Sequence, residues 1–164
     1  MSIFRKLLII LLAIYGISLG DVKIAPKFTL KDVNNEIIEL NNFKDYKLIL
    51  LAFINPNDKI ALNHLKDIAR EFQRNKDLKV ILILTKLDMS PIELNNFVAI
   101  NNLDRLNIIV LKGDGWIMKA YSIKRDRNSY FFIAKVGKDF IILKRFDEPI
   151  DILKVKTFIR KTLR

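Results

Sequence analysis

Cysteine is absent from the 164 residues. Without a thiol there is no disulfide framework, no Cys-ligated zinc or iron–sulfur site, no thiolate nucleophile and no dithiol redox cycle. Histidine occurs once, as His64, so a conventional multi-histidine metal centre is excluded as well. Glycine (5) and proline (4) are scarce, which excludes collagen-like and low-complexity chains. Acidic residues are in deficit: 18 Asp and Glu against 29 Lys and Arg give a net charge of +11. What is there is 51% hydrophobic and 29% charged, the composition of one globular domain.

The first twenty residues read differently from the rest. Arg5 and Lys6 precede an apolar run from Leu7 to Leu19, and small residues at Ser18 and Gly20 stand just before a cut at Asp21. This is the three-part pattern of a secretory signal peptide. The run spans roughly 20 Å as a helix, short of the ~30 Å hydrocarbon core. Two outcomes stay open for residues 1–20: a cleaved signal peptide, or an uncleaved anchor that tethers the protein to a membrane through residues 7–19. No cysteine follows, so a lipid-modified anchor is excluded. Residues 21–164 form the expected domain, which has to hold together through its apolar core alone. The expected location is exported, either periplasmic or membrane-anchored and facing the periplasm or exterior.

Along residues 21–164 the apolar pattern alternates between strand and helix periods. Lys27–Leu30 and Ile37–Leu40 read as short strands about a turn at Asp32–Glu36. Leu48–Ile54 and Leu78–Leu84 are near-continuous apolar runs, as strands covered on both faces show. Asp58 can cap a helix running to Arg74, with Ala61, Leu65, Ile68 and Phe72 on one face. Ser90-Pro-Ile-Glu93 reads as a capping box with proline at the first helical position, opening a helix to about Asn101. Leu106–Leu111 is a strand, Gly113-Asp-Gly115 a turn into a short helix, and Ser129–Ala134 with Asp139–Phe146 a hairpin. Pro149 opens a last helix. Its Ile152, Val155, Ile159 and Leu163 share one face, while Lys154, Lys156, Arg160, Lys161 and Arg164 lie on the other. Alternating βα units imply a mostly parallel central sheet with helices on both faces and a C-terminal β-hairpin added to it, an α/β three-layer sandwich.

This order, with several local words, resembles the thioredoxin-like superfamily, and within it the redoxin branch of peroxiredoxin-like and exported thiol–disulfide oxidoreductase domains. Ala25-Pro-Lys-Phe-Thr-Leu30 resembles that branch's APDFTL opening. Asn34–Leu40 is similar to its DGKxVxL hairpin, Asn42-Phe43-Lys44 to its DFKGK link, and Leu48–Phe53 to its VVLNF strand. Val110–Ile123 resembles VLxDxxGxxAxxYGV, and Tyr130–Gly137 resembles TTFLIDKDG. The likeness runs in order along residues 21–164.

The departures fall on the chemistry. Where the resemblance implies a CxxC, the chain reads Asp58-Lys59-Ile60-Ala61, so Asp58 and Ala61 occupy the two thiol positions. In the peroxiredoxin register, counted from Pro56, the threonine place is Ile60 and the cysteine place is Asn63. The family's cis-proline position is taken by Asn128. A cis bond before a residue other than proline costs about 2.5–4 kcal/mol, so a trans bond is expected there. The resemblance thus implies a redoxin fold whose redox centre is degenerate.

Other candidates each have an ordinary reading beside the functional one. Asp58 is a helix cap or a general base. His64 is a surface residue or a pH-sensitive contact, and its spacing from Asp58 does not match the i+3 or i+4 of helix neighbours. Trp116 reads as core or core edge. Gly113-Asp-Gly115 is too short for a phosphate loop. Lys124-Arg125-Asp126-Arg127 is expected beside the Asn55–Ala61 loop, at the carboxyl ends of the parallel strands, where open α/β sheets bind ligands. A polar and basic surface of Asn55, Asn57, Asp58, Lys59, Lys124, Arg125, Arg127 and Asn128 is the candidate partner-binding edge. The leading expectation is a non-catalytic binding or scaffold module for an envelope protein. The alternatives are an enzyme of non-thiol chemistry at the Asp58 loop and an electrostatic binder of anionic envelope components through the last helix. No cofactor or metal is implied, and no nucleic-acid motif is present.

Overall fold

The computed structural model describes residues 22–164. The signal or anchor segment read at residues 1–20 lies outside the described residues. Among the described residues no helix is long and apolar enough to cross a membrane.

The strands are β1 (Lys23–Ile24), β2 (Thr29–Lys31), β3 (Ile37–Glu39), β4 (Leu48–Ile54), β5 (Leu78–Leu84), β6 (Ile108–Lys112), β7 (Ser129–Val136) and β8 (Asp139–Asp147). The helices are α1 (Lys59–Glu71), α2 (Pro91–Ile100), α3 (Gly115–Ala120) and α4 (Ile152–Thr162). Six strands form one sheet in the order β1-β8-β7-β4-β5-β6, and β2 pairs with β3 in a separate ribbon. The sheet is mixed. β4, β5 and β6 run parallel, whereas β7, β8 and β1 join antiparallel. The parallel part is the βα-unit half read from the sequence. The hairpin supplies the antiparallel half, and β1, which the apolar pattern does not show, extends it.

β4 sits at the centre and divides the core by its alternation. Leu48, Leu50, Ala52 and Ile54 face a layer made by α1, α2 and α4, through Leu62, Leu65, Ile68, Leu94, Val98, Val155 and Ile159. Ile49, Leu51 and Phe53 face the opposite layer, with Phe28, Leu40, Phe43, Ile117, Met118 and Tyr121. Burial on both faces explains the unbroken apolar run of β4.

The helix starts follow side-chain caps. Asp58 accepts from the Ala61 amide (3.0 Å), Ser90 from Glu93 (3.1 Å), and Asp114 from Ile117 (2.8 Å). Ser90 caps α2 with Pro91 behind it, but the box expected there does not close, because the Glu93 carboxylate turns to Lys86 (3.5 Å). The last helix begins at Ile152 rather than Pro149, since Asp151 accepts from the Leu153 and Lys154 amides and takes the cap position. Trp116 is 57% exposed, not core: α3 is short and turns Ile117 and Met118 inward. Gly113 is required where it stands, because an added Cβ would lie 2.6 Å from the Leu84 carbonyl oxygen.

The basic side of α4 is also not one solvated row. Lys156 bridges Asp67 (2.6 Å) and Glu71 (3.1 Å) of α1, and Arg160 pairs with Glu71. Those cations are neutralised by the neighbouring helix.

Candidate functional site

β4 ends at Ile54 and the chain turns through Asn55, Pro56 and Asn57 into the cap of α1. The turn is held by its own polar groups: the Asn57 amide donates to Asn55 Oδ1 (2.9 Å) and the Asp58 amide to the Asn55 carbonyl (2.9 Å). From the far side comes Asn128, the residue before β7, which is 3% exposed. Its Oδ1 accepts from the Asn55 amide (3.1 Å) and its Nδ2 donates to Asp58 Oδ2 (2.8 Å). The side chain at the expected cis-proline position therefore clasps the side chain at the expected first thiol position. The Asp58 carboxylate is fully engaged, with Oδ1 on the Ala61 amide and Oδ2 on Asn128. The Arg127–Asn128 bond is trans, and the cis bond among the described residues is Glu148–Pro149.

The 124–128 loop separates two clefts. One, of about 580 Å³, is lined on its polar side by Asp58, His64, Asp126, Arg127, Asn128, Tyr130 and Glu148, and on its apolar side by Ile60, Ala61, Pro149, Ile150 and Ile152. The other, of about 500 Å³, is lined by Asn55, Asn57, Thr85, Lys86, Leu87, Asp88, Arg125 and Asp126. The eight candidate residues are thus divided. Asp58, Arg127 and Asn128 share the first cleft, Asn55, Asn57 and Arg125 the second, and Lys59 and Lys124 line neither. Ala61 joins the first cleft. Asp58 and His64 share it too, with no hydrogen bond or ion pair between them among the described residues.

Tyr130, Glu148 and the Pro149–Ile152 segment were not read as site residues from the sequence. Burial pushes the Tyr130 hydroxyl above its ordinary range, and the Asp58 carboxylate adds to the shift. The signal was the one tyrosine at the head of Tyr130-Phe-Phe, because a hydroxyl in a buried strand needs an outlet. Glu148 and Pro149 are brought in by the end of β8, where the Glu148 amide donates to the Asn128 carbonyl (3.3 Å). Beneath the loop, Arg145 holds the structure from below. Its guanidinium donates to Asp147 (2.9 and 3.0 Å), to the Tyr121 carbonyl and to the Ser122 carbonyl (3.1 Å each), and lies over the Phe131 ring at 4.7 Å. Burial opposes ionisation of Asp147, but hydrogen bonds from Ser129 and Arg145 outweigh it and hold the carboxyl below its usual range.

The fold and this edge together define the class: the chain has the thioredoxin-like fold. No family model matches the sequence, and no curated protein matches it. Solved structures match over most of the chain. The C-terminal domain of a putative thiol-disulfide oxidoreductase from Bacteroides thetaiotaomicron superposes at a TM-score of 0.68, with 20% identity over 86% of this chain and 94% of that one. ScoI from Arabidopsis thaliana, solved with copper bound, gives 0.67 at 12% identity over 87% and 99%. A secreted disulfide oxidoreductase from Mycobacterium tuberculosis gives 0.62 at 16% identity over 81% and 94%. These likenesses carry the resemblance read from the sequence at the level of fold. Among the described residues no group of three or more His, Asp or Glu side chains is placed to share a metal ion.

Proposed function

We propose that this is an exported, redox-inactive thioredoxin-fold domain that holds a protein partner non-covalently at the edge carrying Asn128 and Asp58. The observation behind it is the Asn128–Asp58 clasp. The positions where the fold usually places a thiol and a cis-proline are filled by two polar side chains bonded to each other, beside an open cleft. Such a site can recognise a peptide by hydrogen bonds and by the apolar wall of Ile60, Pro149 and Ile150, with no covalent exchange. Export is supported by the N-terminal signal pattern and by the secreted solved relative.

The test is recovery of a partner from envelope extract by the full chain, compared with variants carrying Lys59→Glu, Arg125→Glu and Arg127→Glu. All three side chains are exposed, so the reversals leave the core intact. Loss with Arg127→Glu alone assigns the first cleft, and loss with Arg125→Glu alone the second. Unchanged recovery with all three reversed refutes the site, and the absence of any partner for the wild-type chain refutes the class.

A second reading is an enzyme of non-thiol chemistry. It is favoured by the concavity of the first cleft and by the convergence there of His64, Asp126 and Glu148 with the Tyr130 hydroxyl. It requires a group free to move a proton. Asp58, committed to two donors, is not that group, which leaves His64, Asp126 or Glu148.

A further inference from the structure

The outer side of α4 and the end of β8 form a groove remote from the Asn128 loop. Its floor is Phe146, Leu153 and Phe158, and its rim is Lys144, Lys154 and Lys161. No carboxylate lines it. Leu153 is 74% exposed, and the Lys144 ammonium lies 5.6 Å from the centre of the Phe146 ring. Among the described residues none of these three lysines is paired with a carboxylate. The contrast within one helix is sharp. Lys156 and Arg160 are neutralised by Asp67 and Glu71 of α1, while Lys154 and Lys161 are left beside an exposed apolar strip.

The course of the chain supplies an independent observation. β1 runs antiparallel to β8 with Ile24 opposite Ile141 and Lys23 opposite Ile142. Traced towards the N-terminus, β1 therefore points to the Lys144–Phe146 end of β8. Val22 is still packed against the core. Only Asp21 and Gly20 separate it from the apolar run Leu7–Leu19. Three Cα steps reach about 10 Å. A bilayer holding that run would lie that close to this edge, a distance comparable with the ~8 Å Debye length at physiological ionic strength.

We propose that this groove is a membrane-contact face that rests on anionic phospholipid. Leu153 enters the boundary between headgroups and acyl chains above Phe146 and Phe158, which stay packed on the hairpin, and the three lysines meet phosphates. The occupant is chosen by charge and reach: the groove carries three lysines and no carboxylate, and in the uncleaved form the run Leu7–Leu19 would hold a bilayer within three residues of Val22 at this edge. Each lysine contributes roughly fivefold to the partition, on the order of 100-fold for the three together. The proposal is independent of the Asn128 edge and stands or falls separately from partner binding there.

The absence of cysteine makes the test direct, because Leu153→Cys creates the sole labelling site in the full chain. An environment-sensitive dye at that position is read in vesicles of phosphatidylcholine alone and of phosphatidylcholine mixed with phosphatidylglycerol. The expected result is a blue shift in the anionic vesicles only, reversed by high salt and abolished when Lys144→Glu, Lys154→Glu and Lys161→Glu are combined. A dye at Ile100→Cys, on α2 above the β6 end of the sheet, is expected to stay silent in both. Equal emission from the Leu153 position in the two vesicles overturns the proposal. So does a shift that survives the triple reversal, a shift shared by the Ile100 position, or a response to added envelope protein without any response to lipid.

Discussion

Asn128 spends both ends of its amide on the Asn55–Asp58 turn, and the energetics of the candidate edge hang on that one side chain. Asn128→Ala leaves the Asn55 amide and one Asp58 oxygen without their partners. The expected cost is about 1–3 kcal/mol, seen as a lower urea midpoint at an unchanged slope. Asn128→Asp is expected to cost more at neutral pH, because two carboxylates then face each other. Repulsion raises a carboxyl pKa in the folded state, so this variant recovers stability as pH falls through that raised value. Parallel urea titrations at neutral and mildly acidic pH check both signs. An Asn128→Asp variant whose deficit is the same at both pH values would show that the contact with Asp58 carries no charge.

At the scale of elements, α4 is fixed to the domain by two unlike means. Phe158 meets Phe132 at 4.8 Å and Phe146 at 6.3 Å between ring centres, anchoring the helix to the hairpin. Lys156 and Arg160 tie it to α1. The Lys156 ammonium, above all its hydrogen bond, holds the Asp67 carboxyl below 3.8, and the Arg160 guanidinium does the same for Glu71 below 4.5. The same contacts raise Lys156 above 10.5. The sign follows from linkage. The carboxylates' contribution is complete above their unfolded-state values and is lost as pH falls through the depressed folded-state ones. The contribution of Lys156 is complete below 10.5 and is lost as pH rises through its raised value. Lys156→Met is therefore expected to lower the melting temperature by a constant small amount across neutral pH. The difference from wild type should begin to narrow below about pH 4.5 and close only once pH has fallen through the depressed folded-state values of Asp67 and Glu71. Melts at stepped pH measure this, and a difference that persists at low pH would assign the effect to packing of the lysine stem.

For the whole molecule, the thioredoxin-like fold sets Asp58 and Ala61 one turn apart at the start of α1, the two positions that the proposed reading assigns to the missing thiols. Asp58 already reaches the Ala61 amide across the first turn of α1, and the helix N-terminus favours an anion there. Asp58→Cys with Ala61→Cys is expected to give a pair that closes to an intrachain disulfide on addition of diamide, with two thiols lost per chain. The reduced pair should reduce insulin with dithiothreitol as electron donor. The wild-type chain is expected to show nothing above background in the same assay. Turnover by the cysteine-free chain would overturn the reading of the site. Failure of the double variant to form the bond would show that Asn128 and the turn have closed the geometry as well as the chemistry.

Much of the fold is legible in the residue order, and the reasons are physical. β4 and β5 are read residue for residue because strands buried on both faces are apolar almost without a break, the exception being Lys79 of β5, whose ammonium donates to Asn107 Oδ1 (3.0 Å). α2 is read from Ser90 and Pro91 because its cap is local. β1 is not legible: its two residues are exposed, and only the edge of β8 makes them a strand. Trp116 and the true start of α4 are misjudged for a related reason, since the inward face of a short helix and the choice between Pro149 and Asp151 as its opening depend on what lies beneath. At the candidate site, the sequence alone determined which chemistry is missing, because thiol, resolving thiol and proline are properties of single positions. Only the tertiary structure decided what replaces them. The bond between Asp58 and Asn128, the division of the loop residues between two clefts, and the neutralisation of Lys156 and Arg160 by α1 all join groups far apart in the chain. Their distances are set by packing of the sheet and its two layers, which no local pattern encodes.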